Sequence, residues 1–125
     1  MNMAIQDLPS SYLSAYSIDD ALATYASFLA NWAQTKHSIR SVWLFGSRVK
    51  GTNGDDSDLD VAIELKYPDP DTALAHWMHE QDTWARELAE CLPIVIDLEL
   101  YQAETTHAIK WSLLEASIKV YEHKS

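Results

Sequence analysis

Asp55, Asp56, Asp58 and Asp60 put four carboxylates within six residues. Like charges held that close repel, and something must offset them. Solvent can do so for Asp55 and Asp56 in a polar loop. Asp58 and Asp60 differ, because Leu59, Val61, Ile63 and Leu65 alternate with Asp58, Asp60, Ala62 and Glu64. That is the period of a strand with one buried face. Residues two apart on a strand point the same way, so both carboxylates project side by side from a rigid element. For such a pair a divalent cation is the stronger answer. Oxygen-only ligands suit magnesium, which takes one or two carboxylates and fills its shell with substrate phosphates.

The other half of a phosphate site lies ten residues upstream. The apolar run Ser41-Val42-Trp43-Leu44-Phe45 leads into Gly46-Ser47. Glycine lets the backbone bend sharply and approach a ligand closely. Ser47 offers a hydroxyl and is expected to cap a short helical turn, whose first N–H groups attract phosphate. Arg48 and Lys50 add positive charge beside it.

Gly46-Ser47 and Asp58-Leu59-Asp60 at this spacing resemble the Gly-Ser…Asp-x-Asp signature of the DNA polymerase beta-type nucleotidyltransferase superfamily. The fuller run Leu44-Phe45-Gly46-Ser47-Arg48-Val49-Lys50-Gly51…Ser57-Asp58-Leu59-Asp60 is similar to its minimal nucleotidyltransferase branch. Val49 and Lys50 stand where relatives often carry Ala and Arg. The resemblance implies an antitoxin that uses ATP and magnesium to join AMP to a hydroxyl, most plausibly a tyrosine, of a HEPN-type RNase toxin. It implies Asp58 and Asp60 as metal-holding catalytic residues and Gly46, Ser47, Arg48 and Lys50 as the nucleotide-binding turn. It also implies a third carboxylate on a later strand. Asp97 is the expected residue, as metal ligand or general base, with Glu99 the weaker candidate. Two rival readings stand beside this one: an antitoxin that acts by binding alone, and a small-molecule (drug) nucleotidyltransferase.

A chain of 125 residues is most simply a single domain, expected over residues 1–125. Its 47% hydrophobic content and five tryptophans suit a packed globule rather than a disordered chain. The net charge of −10 gives no general attraction to nucleic acid or anionic lipid, and favours a basic protein partner. Cys91 is the lone cysteine, which fits a reducing compartment. No basic and apolar leader opens the sequence and no run approaches a bilayer span, so a cytoplasmic location is expected.

The elements that must position these residues follow from periodicity. Residues 1–16 read as a loosely ordered arm. Ser17 reads as an N-cap, with Asp19 and Asp20 in the first turn. Ile18, Leu22, Tyr25, Leu29 and Trp32 mark one face of a helix to about Lys36. A strand runs from Ser38 to Phe45, and Gly51 to Gly54 form a mobile flap. Asp71 is expected to cap a second long helix with Leu74, Trp77, Gln81, Trp84, Leu88 and Cys91 inward, ended by Pro93. His76, His79 and Glu80 on it match no zinc spacing.

Pro93 to Leu100 alternates as a strand, with Ile94, Ile96, Leu98 and Leu100 facing one way and Val95, Asp97 and Glu99 the other. An aspartate at mid-strand is costly unless compensated, or else solvated on an edge. Asp97 is expected inside a paired inner strand. A helix from Ala103 to Ala116, with Ile109 and Leu113 inward, and a short strand Ile118 to Tyr121 complete the chain. Trp111 reads equally as core or as an interface residue. The fold class expected is α/β (α+β): a small mixed sheet with helices packed on it.

Overall fold

The computed structural model describes residues 20–54 and 56–124. The proposed N-terminal arm, the Ser17 cap, Ile18, Asp19 and Asp55 lie outside these. In order the elements are α1 (Asp20–Gln34), β1 (Ile39–Phe45), α2 (Ser47–Lys50), β2 (Leu59–Leu65), α3 (Pro70–Cys91), β3 (Ile96–Leu100), α4 (His107–Glu115) and β4 (Ser117–Glu122). The strands form one mixed sheet in the order β3-β2-β1-β4. β1 runs antiparallel to β2 and β4, and β2 runs parallel to β3. This is the small mixed sheet that the periodicity predicts.

The alternation along each strand divides the sheet into two unlike faces. Val42, Leu44, Leu59, Val61, Ile63, Ile118 and Val120 are buried in one core cluster with Leu29 and Trp32 of α1 and Trp77, Trp84 and Leu88 of α3. Trp32, Trp84 and Trp77 meet edge to face at centroid distances of 5.8 and 6.1 Å, a favoured aromatic geometry. Glu87 of α3 accepts from Trp32 Nε1 at 3.0 Å and pairs with Lys36 Nζ at 2.7 Å, which fastens the end of α1 to α3. The opposite face carries Trp43, Asp60, Asp97, Glu99 and Lys119. Here Trp43 packs edge-on against Tyr101 at 5.2 Å, with the Lys119 ammonium over its ring. Among the described residues α4 lies against part of this face, and none of its residues is fully buried.

Several boundaries differ from expectation. Asp69, not Asp71, caps α3: its Oδ2 accepts from Thr72 N–H at 2.9 Å and from Thr72 Oγ1 at 2.7 Å. Pro70 follows at the first helical position, where its fixed φ is pre-set for a helix and its missing N–H costs nothing. The buried stripe of α3 is Ala73, Trp77, Trp84 and Leu88. Leu74, next to Ala73, and Cys91, three residues beyond Leu88, fall off that stripe and are exposed. β3 is an edge strand rather than an inner one, and its ladder begins at Ile96, although Val95 O already accepts from Leu59 N–H at 2.9 Å. α4 starts at His107 rather than Ala103. Gln102 and the hydroxyls of Thr105 and Thr106 bond one another in a turn that competes with the helix. Among the described residues no helix is long and apolar enough to cross a membrane.

The cap assignment makes a direct test. Asp69→Ala should lower the melting temperature by a few degrees, because it leaves the first-turn N–H of Thr72 without its acceptor. Asp71→Ala, which removes only a charge near the helix start, should change it much less. Thermal denaturation of both variants beside the wild type distinguishes them.

Candidate active site

Gly46 is where the site is assembled. Its φ of 80° and ψ of −158° lie in a region that side chains other than hydrogen rarely adopt. Phe45 pairs with Asp60 across the antiparallel β1–β2 ladder, which brings the turn after β1 over the Asp60 side chain. A Cβ built on Gly46 would collide with Asp60 Oδ2 and lie 3.0 Å from its Cγ. Glycine is therefore required twice, for the backbone angle and for the room that the carboxylate occupies. The chain leaves Gly46 directly into α2. Gly46 is the N-cap of this four-residue turn and Ser47 its first residue, with no side-chain capping bond. The cap expected of Ser47 is thus made by the preceding glycine.

The carboxylates meet because of register. Asp60 and Asp97 are direct partners in the parallel β2–β3 ladder, on the face away from the core. Glu99, two residues on, stands on the same side. Phe45, Gly46, Lys50, Asp60, Asp97 and Glu99 line a cavity of about 230 Å³ together with Ile109, Ser112 and Glu115 of α4. Asp58 does not line it. It sits exposed just before β2, yet its charge still acts on Asp60. The Asp60 carboxyl is pushed up from 3.8 to about 6, first by burial, then by the Asp97 charge and a hydrogen bond with Asp97, and last by Asp58. Glu99 is also raised, first by burial and then by Asp97. Like charges gathered in a partly buried place shift in this direction.

The two cations of the turn are placed differently. Lys50 reaches into the cavity and forms an ion pair with Glu115 of α4. Arg48 Nε donates to Ser57 O at 2.9 Å, and Gly54 N–H donates to Ser57 Oγ at 3.0 Å. The segment expected as a flap is thereby fastened back onto α2. Of the seven residues singled out in the sequence, Gly46, Lys50, Asp60 and Asp97 line one cavity, and Ser47, Arg48 and Asp58 are not among its lining residues. Glu99 was only the weaker candidate, and Glu115 carried no signal, because its role depends on the packing of α4. His76 stacks on Tyr67 at 4.0 Å, away from the carboxylates.

The fit to magnesium rests on the donor set. Asp60 and Asp97 offer hard oxygens in one cavity, which Lys50, held by Glu115, also lines. Among the described residues no three His, Cys, Asp or Glu side chains form a ready-made cage. A two-carboxylate site suits an ion that keeps waters and takes phosphate oxygens to fill its octahedron.

The family described as "Polymerase beta, Nucleotidyltransferase" matches residues 28–125. No curated protein matches the chain. A solved structure described as a toxin-antitoxin with AMP-PNP superposes with a TM-score of 0.56 at 18% identity, over 78% of this chain and 72% of that one. A second, a toxin-antitoxin MntA-HpeT mutant, gives a TM-score of 0.56 at 16% identity over the same shares. At these identities the likeness shows the shared fold.

The raised Asp60 carboxyl sets a pH dependence. Folded Asp60 keeps its proton up to about pH 6, whereas the unfolded chain releases it near 3.8. Between those values the folded state binds more protons, so stability falls as pH rises. The stabilising share of Asp60 is complete below the lower value and lost above the higher. In a chelator, Asp60→Asn should therefore melt above the wild type well above pH 6, and the gain should vanish as pH falls toward 3.8. Melting curves across that range check it; a variant that melts below the wild type at neutral pH contradicts it.

Proposed function

The chain belongs to the polymerase beta nucleotidyltransferase family, and from that premise we propose that it is a magnesium-dependent nucleotidyltransferase that joins AMP from ATP to a hydroxyl of a toxin protein. The observation that carries this reading is the in-register pair Asp60 and Asp97 under the Gly46 turn. A carboxylate pair beside a glycine turn at a helix start is what the transfer of a charged phosphoryl group requires: positioning and charge neutralisation.

Asp60 and Asp97, with Asp58 at the rim, would hold the magnesium. When bound, the ion offsets their charge and polarises the triphosphate oxygens. The N–H and hydroxyl of Ser47, the first residue of α2, would meet the phosphates. Lys50 can exchange Glu115 for a phosphate oxygen without crossing the cavity, since both line it. Asp97 or Glu99 accepts the proton of the incoming hydroxyl. The hydroxyl oxygen bonds to the α-phosphorus, the bond from that phosphorus to the bridging oxygen breaks, and pyrophosphate leaves.

Charge supports a protein acceptor. A net charge of −10 suits a basic partner such as an RNase and disfavours direct contact with nucleic acid. The solved neighbours support the toxin-antitoxin assignment: one holds AMP-PNP, and in the other two aspartates, two positions apart as Asp58 and Asp60 are, are changed to glutamate. A HEPN-type toxin is the partner proposed, a single domain the extent, and a reducing, cytoplasmic compartment the setting. AMP on a toxin hydroxyl adds bulk and negative charge to a surface that must bind RNA phosphates.

Co-expression with a HEPN-type toxin followed by intact-mass spectrometry tests this. AMP-sized additions should appear with the wild type. Asp60→Asn and Asp97→Asn should each reduce them by about 100-fold or more, since an amide is a poor magnesium ligand and a poor base, while their melting temperatures stay at or above the wild-type value. A toxin that is neutralised but unmodified contradicts transfer and favours inhibition by binding alone.

A further inference from the structure

A second cavity, of about 450 Å³, adjoins the carboxylate site. Glu99 and Ile109 line both, so the two are neighbours. Its floor is Leu74 and Trp77 of α3, Leu100 of β3 and Ile109 of α4, and its charged residues are Asp71 and Glu99. Among the described residues no lysine, arginine or histidine lines it. Leu74 is 44% exposed there, and Met78, one helical turn on, is 65% exposed, so an apolar strip leads along α3 out of the groove. Other polar groups along the groove already bond within the protein. Gln102 Nε2 donates to Pro70 O at 2.8 Å, Thr105 Oγ1 donates to Gln102 Oε1 at 2.6 Å, and Thr106 Oγ1 donates to Gln102 O at 2.9 Å.

We propose that this groove docks the acceptor: a segment of a basic partner protein that seats an apolar side chain on Leu74 and Ile109 and sets lysine or arginine against Asp71 and Glu99. The inference rests on the transfer reading above and names how that reaction finds its protein substrate. The chemistry favours a polypeptide over the nucleotide. Two carboxylates and no cation repel phosphate, and hydrogen-bonding groups occupied by internal partners cannot read a base edge. An apolar floor with an acidic rim instead complements a cationic strand with alternating apolar side chains. A side chain seated here lies within one residue's reach of Glu99, so the hydroxyl of a neighbouring residue falls beside Asp97 and Asp60.

The probe is a fluorescein-labelled peptide in which leucine and tyrosine alternate with lysine, measured by anisotropy, with binding of magnesium–AMP-PNP measured separately. The wild type should bind the peptide. Leu74→Gln should weaken it by about fivefold or more, the loss expected from a half-buried leucine contact, and Asp71→Asn should weaken it less. Trp111→Gln, at the 70% exposed face of α4, should have no effect. All three variants should bind the nucleotide as the wild type does. Equal peptide affinity in the wild type and Leu74→Gln means attraction by bulk charge alone and overturns the groove. Absence of peptide binding, or loss in Trp111→Gln instead, overturns it as well. A protein that binds the peptide through Leu74 but not the nucleotide would leave the groove standing and remove the transfer reading.

Discussion

Two carboxylates that repel each other are held in register on neighbouring strands, and the rest of the molecule makes that arrangement tolerable. Asp60 and Asp97 are ladder partners, so separating them would mean breaking the β2–β3 pairing. The backbone contacts that prevent this are ordinary ones: Leu59 N–H to Val95 O at one end and Tyr101 N–H to Ile63 O at the other. The apolar undersides of the same strands, buried against α1 and α3, hold the ladder flat against the core. Repulsion is thus stored as a raised Asp60 carboxyl rather than released by movement. In the function proposed, a cation and a polyanionic substrate would together offset the repulsion that the fold imposes.

The unequal faces of the sheet explain why so short a chain can do this. One face supplies the stability, through three tryptophans and a close set of aliphatic side chains. Against the other, among the described residues, lies α4, which has no fully buried residue. Trp111 and Leu114 are 70% and 67% exposed on its outer side, while Ile109, Ser112 and Glu115 of its inner side wall the carboxylate cavity. The Lys50–Glu115 ion pair joins this helix to the turn beneath it. The carboxylates therefore sit on the face away from the core, and the core behind them supports that charged surface.

Much of this was legible in the sequence because local pattern and tertiary role coincide there. The β2 alternation predicts both the buried Leu59-Val61-Ile63 face and the direction of Asp60. The spacing of Gly46-Ser47 and Asp58-x-Asp60 predicts that a turn and a strand end meet, which the φ of Gly46 and its closeness to Asp60 explain. What was hidden depends on neighbours in space. Alternation in β3 says that Asp97 faces away from the core, but not that the strand lies at the sheet edge. The helix period in α3 was right, yet two edge positions, Leu74 and Cys91, were assigned inward, because a stripe's width is set by what packs on it. Lys50 reads as a phosphate ligand until α4 brings Glu115 to it. Asp69 and Asp71 are both plausible caps, and Pro70 between them decides in favour of the first.

The central claim is that the carboxylate pair binds nucleotide through a divalent cation. Calorimetric titration with AMP-PNP, in magnesium and then in a chelator, addresses it without reference to any acceptor. The account predicts binding in magnesium, little or none in the chelator, and loss of the magnesium-dependent part when Asp60 and Asp97 are both changed to asparagine. Equal affinity with and without the metal, or full magnesium-dependent binding by the doubly changed protein, would contradict it.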